Sequence, residues 1–122
     1  MHIPVNFVIR ARSASPAATL RAYAERRLSF ALRRFENRAR HVTVRLADLN
    51  GPRRGVDSRC AITLHLLDGR RIVVEATTAW PFASVTHAAK RLNAAVRREL
   101  DRTGLSARRH RRIRAPGELA AV

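Results

Sequence analysis

The chain has 122 residues, room for one domain with a single core but not for two. Hydrophobic residues make up 46%, which excludes wholesale disorder, while 25 Lys+Arg stand against 9 Asp+Glu for a formal net charge of +16. Self-repulsion of that size is useless to a free domain and becomes an advantage only beside a polyanion, nucleic acid first and an anionic membrane surface second.

Lys90 is the only lysine, so 24 of the 25 cations are arginine. A GC-rich coding sequence would account for arginine in place of lysine, but not for the shortage of carboxylates. Cys60 is the only cysteine, which rules out an internal disulfide and any multi-cysteine zinc site and fits a reducing, cytoplasmic compartment. No stretch approaches the roughly 18 apolar residues of a membrane span, so no integral membrane contact is expected.

Along the chain, Ile3, Val5, Phe7 and Ile9 alternate as in a strand over about residues 3–9. With Arg10, Arg12, Ser13 and Ser15 and no acid before Glu25, the segment superficially looks like a transit peptide. A cleaved leader has no need of that alternation, so it is read as part of the fold. Ser15-Pro16 then offers a capping hydroxyl and a proline at the first helical position. Leu20, Ala24, Leu28, Ala31, Leu32 and Phe35 follow at helical spacing, predicting a helix over roughly 16–37. Val42, Val44 and Leu46 form one face of a second strand, before a turn-rich loop Asn50-Gly51-Pro52-Arg53-Arg54-Gly55. Cys60, Ile62, Leu64 and Leu66 mark a third strand, with Arg59, Ala61, Thr63 and His65 on its other face. Asp68-Gly69 signals a two-residue type I′ hairpin, and Ile72, Val74 and Ala76 the inner face of a fourth strand. A second helix starts near Pro81 and carries Phe82, Val85, Ala89, Leu92, Val96 and Leu100 on its apolar stripe.

The order β-α-β-β-β-α, one apolar face per strand and one stripe per helix predict an α+β domain. Its mostly antiparallel four-stranded sheet carries both helices on one face. The domain is expected over 1–104. Residues 105–122, with Arg108, Arg109, Arg111, Arg112 and Arg114, are expected to form a solvated, disordered basic tail that supplies secondary contacts.

The arrangement of charge is more telling than its sum. On the first helix Arg26 and Arg33, and likewise Arg27 and Arg34, lie seven apart on one flank of the stripe, with Glu25 and Glu36 on the other. On the second, Arg91, Arg98 and Arg102 form a row opposite the stripe, and Lys90 and Arg97 a row beside it, with Glu99 and Asp101 offering little compensation. Side by side, the two helices would border a broad cationic ridge and groove. Guanidinium forks there suit a sugar–phosphate backbone. With aromatics at 5% and Phe7, Phe35 and Phe82 at core positions, Tyr23 and Trp80 are the plausible stacking side chains, and recognition of RNA shape and backbone is expected.

No catalytic residues are expected. The chain has no nucleophile elbow and no phosphate-binding glycine loop, and its five histidines lack metal-ligand spacing. Asp48, Asn50 and Asp57 suit turn chemistry better than a calcium loop, and Cys60 alternates with core residues. No metal, cofactor or small-molecule substrate is expected.

The string Val44-Arg45-Leu46-Ala47-Asp48-Leu49-Asn50-Gly51-Pro52, continuing through Gly55-Val56-Asp57-Ser58-Arg59-Cys60, resembles the ribosome hibernation-promoting factors. These are also called ribosome-associated inhibitor or subunit-interface proteins. The pattern Phe82-Ala83-Ser84-Val85, Lys90-Arg91-Leu92 and Val96-Arg97-Arg98 resembles them too, and the likeness covers about residues 1–103. It implies a bacterial protein with a double-stranded-RNA-binding-domain-like fold that binds 16S rRNA of the small ribosomal subunit. Such a protein occludes the mRNA/tRNA channel, inhibiting translation or preserving idle ribosomes under stress. Arg27 before Leu28, Arg91 before Leu92, and Arg98 match the family's basic positions, and Arg34 before Phe35 matches more loosely. Ala94 stands where well-known members carry another basic residue, and Ala79-Trp80-Pro81 where they carry acids. The chain is expected to be a short form without the C-terminal domain by which long members pair ribosomes. Three other readings are a general nucleic-acid or RNA-chaperone module driven by the tail, a protein-partner module using the open sheet face (Thr43, Arg45, Thr63, His65, Arg71, Val73), and tail-mediated association with anionic membranes.

Overall fold

A computed structural model describes residues 3–10, 17–50 and 56–113. The expected Ser15-Pro16 helix start, the loop 51–55 and Arg114 lie outside the described residues. Strand β1 (Val5–Arg10) leads through helix α1 (Ala17–Ala31) to β2 (Ala39–Asn50), followed by β3 (Val56–Leu66), β4 (Arg71–Thr78) and helix α2 (Pro81–Ile113). This is the β-α-β-β-β-α order of an α+β domain. The sheet order is β1-β2-β3-β4, with β1 parallel to β2 and the other two pairs antiparallel. A parallel pair cannot be joined by a tight turn, and α1 supplies the crossover that β1 and β2 need.

Strand periodicity sorts the sheet into two faces. Val42, Val44, Leu46, Cys60, Ile62, Leu64, Leu66 and Ala76 are buried on the helix side, where Leu20, Ala24, Leu28, Leu32, Val85, Leu92 and Val96 meet them. Each fully buried Leu or Val contributes about 1.5–3 kcal/mol. Among the described residues no helix covers the opposite face. On that face Arg45, Arg71 and Val73 are exposed, Thr63 and His65 are half-buried, and Thr43 is buried. His41 and His65, opposite each other on β2 and β3, stack with ring centres 4.0 Å apart.

Three local expectations are corrected. The first helix ends at Ala31, short of 37. Beyond it the chain tightens, with Phe35 N–H donating to Leu32 O and Arg38 N–H to Phe35 O, both at 2.9 Å, and a 3-10 turn over Glu36–Arg38. The apolar spacing through Phe35 persists because three-residue turns bring Leu32 and Phe35 to the same side.

The β3–β4 hairpin is not a two-residue type I′ turn. Gly69 has φ +91°, but no described non-glycine residue has positive φ, so Asp68 does not adopt the second left-handed conformation. Gly69 N–H donates to Leu66 O at 3.0 Å and Leu66 N–H to Arg70 O at 2.9 Å. That is a three-residue connection, with Leu67 and Asp68 at the centre of a turn and Gly69 as the left-handed bulge residue. Asp68 accepts from Arg70 N–H at 3.0 Å, and this bond holds its carboxyl below the usual range.

The second helix does not stop near Gly104. It continues to Ile113, so residues 105–113 of the stretch expected as tail are helical. Its start is pinned by buried Ser84, whose hydroxyl donates to Ser58 O at 2.6 Å and accepts from Thr78 N–H at 3.1 Å.

Candidate nucleic-acid interface

The two helices lie side by side, joined by three polar or aromatic ties. Asn93 donates from Nδ2 to Ala31 O at 2.7 Å, the Tyr23 hydroxyl bonds Thr86 Oγ1 at 2.6 Å, and the Tyr23 ring packs edge-on against Phe82 at 5.2 Å. Along their junction run two adjoining concavities. One, of about 200 Å³, includes Arg27, Phe30, Lys90 and Asn93 in its lining. The other, of about 690 Å³, includes Phe30, Arg33, Arg34, Asn93 and Arg97. Five cations thus line the groove and no carboxylate does.

The expected positions divide accordingly. Arg27, Arg33, Arg34, Lys90 and Arg97 come together in the groove. The segregation expected on α1 is less clean than its spacing suggests, because Arg26 and Arg33 also share an outer concavity with Glu25 and Glu36. Arg91 sits on the far flank of α2 and donates from Nη1 to the main-chain carbonyl of Glu75 on β4. Arg102 is paired with Glu99 at 2.5 Å, and Glu99 also holds Arg70 at 2.5 Å, tying the hairpin to α2. Glu99 therefore compensates Arg102 more than the sequence suggests. Arg98 is exposed. The side chains of Arg108, Arg109, Arg111, Arg112 and Arg114 lie outside what the structure describes.

Burial gives Arg27 a particular status. Its Nε is buried without a hydrogen-bond partner, so a donor is desolvated there with no bond to offset the cost.

The aromatic assignment also changes. Tyr23 is half-buried, its hydroxyl bonded to Thr86 and its ring packed edge-on with Phe82, so it serves the helix–helix junction. Trp80 is 60% exposed but leans on Phe82, ring centres 5.2 Å apart. Phe30 is 72% exposed and lies in the groove. Sequence reasoning passed over it, although a usable signal existed: position 30 falls off the Leu20–Phe35 apolar stripe.

Among the described residues no cluster of three or more His, Cys, Asp or Glu could hold a metal ion. Cys60 is buried, and desolvation pushes its thiol up to about 12, so it stays protonated near neutral pH and is a poor nucleophile. Among the described residues no helix is long and apolar enough to cross a membrane.

The profile of the family described as sigma 54 modulation protein / S30EA ribosomal protein matches residues 7–103. The chain belongs to that family. It is therefore a ribosome-associated subunit-interface protein of the hibernation-factor kind that its loop and helix strings resemble. The fold agrees with solved structures. The N-terminal domain of Thermus thermophilus Protein Y is 21% identical, with a TM-score of 0.56, over 80% of this chain and 98% of that one. A ribosomal subunit interface protein from Coxiella burnetii is 11% identical, with a TM-score of 0.58, over 78% of this chain and 98% of that one. No curated protein matches. The matched stretch runs from within β1 to residue 103 of α2, and so includes α1 and the part of α2 that builds the groove.

Proposed function

We propose that this member of the S30EA family binds 16S rRNA of the small ribosomal subunit through the α1–α2 groove and occludes the mRNA/tRNA channel, silencing or preserving idle ribosomes. The observation that carries the reading is the groove itself: Arg27, Arg33, Arg34, Lys90 and Arg97 converge with no carboxylate among them. Like charges gathered this way repel one another in the free protein and are relieved by phosphates. Rigid guanidinium forks on packed helices match backbone oxygens, which favours recognition by shape over base sequence. The action is occupancy in the cytoplasm, and no bond is made or broken. Arg26, Arg91, Arg98 and Arg102 form the flanks of the same basic surface, and the arginines of residues 105–122 add secondary contacts.

Co-sedimentation with purified small subunits tests this. Arg27→Glu with Arg97→Glu should abolish binding while the circular dichroism spectrum stays native, and the wild-type affinity should fall steeply with salt. Undiminished binding by the double variant would refute the groove. The rival reading, a general RNA-binding module driven by its basic tail, predicts that deletion of residues 105–122 removes most of the affinity. The groove reading predicts that most is retained.

A further inference from the structure

We propose that Phe30 is a stacking platform for one unpaired nucleobase of the ribosomal RNA, with Arg27, Lys90 and Arg97 holding the phosphates beside it. The proposal rests on the groove reading above and adds a contact of a different physical kind.

A lone exposed aromatic is unremarkable by itself. Phe30 is set apart by its place. The apolar residues on either side of it in the chain, Leu28, Ala31 and Leu32, are buried at 6% exposure or less, whereas Phe30 is 72% exposed. It lines both groove concavities and the outer one as well. Its surroundings are held rigid, because the Ala31 carbonyl next in the chain is bonded by Asn93 from α2. An open ring flanked by cations is the chemistry of single-strand recognition, in which a base lies on the aromatic face and the backbone follows the charges. A paired base within an A-form helix keeps its faces stacked on its neighbours, so the occupant must be an unpaired nucleotide of a loop, bulge or end. Arg27 and Lys90 line the same concavity as the ring and bring positive charge beside it.

Stacking and phosphate contacts respond differently to salt, and this separates the proposal from the reading it rests on. With full-length protein and purified small subunits, Phe30→Ala and Phe30→Leu should each weaken binding about tenfold, leaving the slope of log affinity against log salt unchanged. Lys90→Gln should weaken binding and reduce that slope by about 1. Phe30→Trp in a Trp80→Phe background should bind normally and lose indole emission on binding. A photo-crosslinker at position 30 should label rRNA. Wild-type affinity for Phe30→Ala, full rescue by Leu, or crosslinking to a ribosomal protein alone would overturn the platform. If Lys90→Gln still weakens binding in that case, the groove reading survives. If neither variant weakens binding, both ideas fail.

Discussion

Asn93, on α2, donates its side-chain amide to the Ala31 carbonyl, 2.7 Å away, where α1 ends. The last four carbonyls of a helix have no partner within it, and here the neighbouring helix satisfies one of them. The same bond spans the floor of the basic groove, since Asn93 and Ala31 line both of its concavities. Fold and candidate site therefore share an atom pair.

Asn93→Ala should destabilise the domain by about 1–3 kcal/mol, the cost of leaving a buried acceptor unpaired. Urea unfolding reads this directly. Ribosome affinity should also drop, because α1 loses its fixed position against α2. A stability change below about 0.5 kcal/mol would show that water replaces the amide without loss.

Lys90 and Arg91 are neighbours in sequence with different surroundings. Lys90 lines the groove, while Arg91 bonds the Glu75 carbonyl on β4. Lys90→Ala should reduce small-subunit affinity and its salt slope while leaving the melting temperature unchanged. Arg91→Ala should lower the melting temperature and affect affinity less. Equal affinity losses would mean that Arg91 leaves Glu75 to bind RNA.

Gly69 holds φ +91° with no heavy atom within 4 Å of where a Cβ would sit. Gly69→Ala should therefore cost about 1–2 kcal/mol from backbone strain alone, and Gly69→Asn less. Thermal melts of the two variants would separate this from a steric clash, which would penalise Asn more than Ala.

His65 titrates below the ordinary histidine range because partial burial, then His41 and Arg71, disfavour its charged form. His41 reaches it from β2 and Arg71 from β4. A base with a lowered folded value binds fewer protons when folded, so stability rises with pH across the window below about 6.5 and is lost as pH falls through it. His65→Gln should flatten that part of the stability–pH curve. An unchanged acid limb would place the sensitivity elsewhere.

The element order, the sheet faces and both helical stripes were legible because each rests on a strict period. Leu20, Leu28, Val44, Ile62 and Val96 are buried as their spacing requires. Boundaries were less legible. At the end of α1 the Ala31 carbonyl is taken by Asn93 of the other helix, and the single left-handed residue of the hairpin follows a main-chain pattern that Asp68-Gly69 does not specify.

What the sequence alone determined, then, is a basic α+β domain with cations carried on two amphipathic helices, since composition and periodicity are properties of the chain. Only the tertiary structure decided which cations share a groove. Spacing along one helix says nothing about which flank meets the other helix, so Lys90 and Arg97 could be assigned to the groove and Arg91 to β4 only after the helices had packed. The same packing turned Tyr23 inward and left Phe30 open, an outcome fixed by contacts between residues more than sixty positions apart.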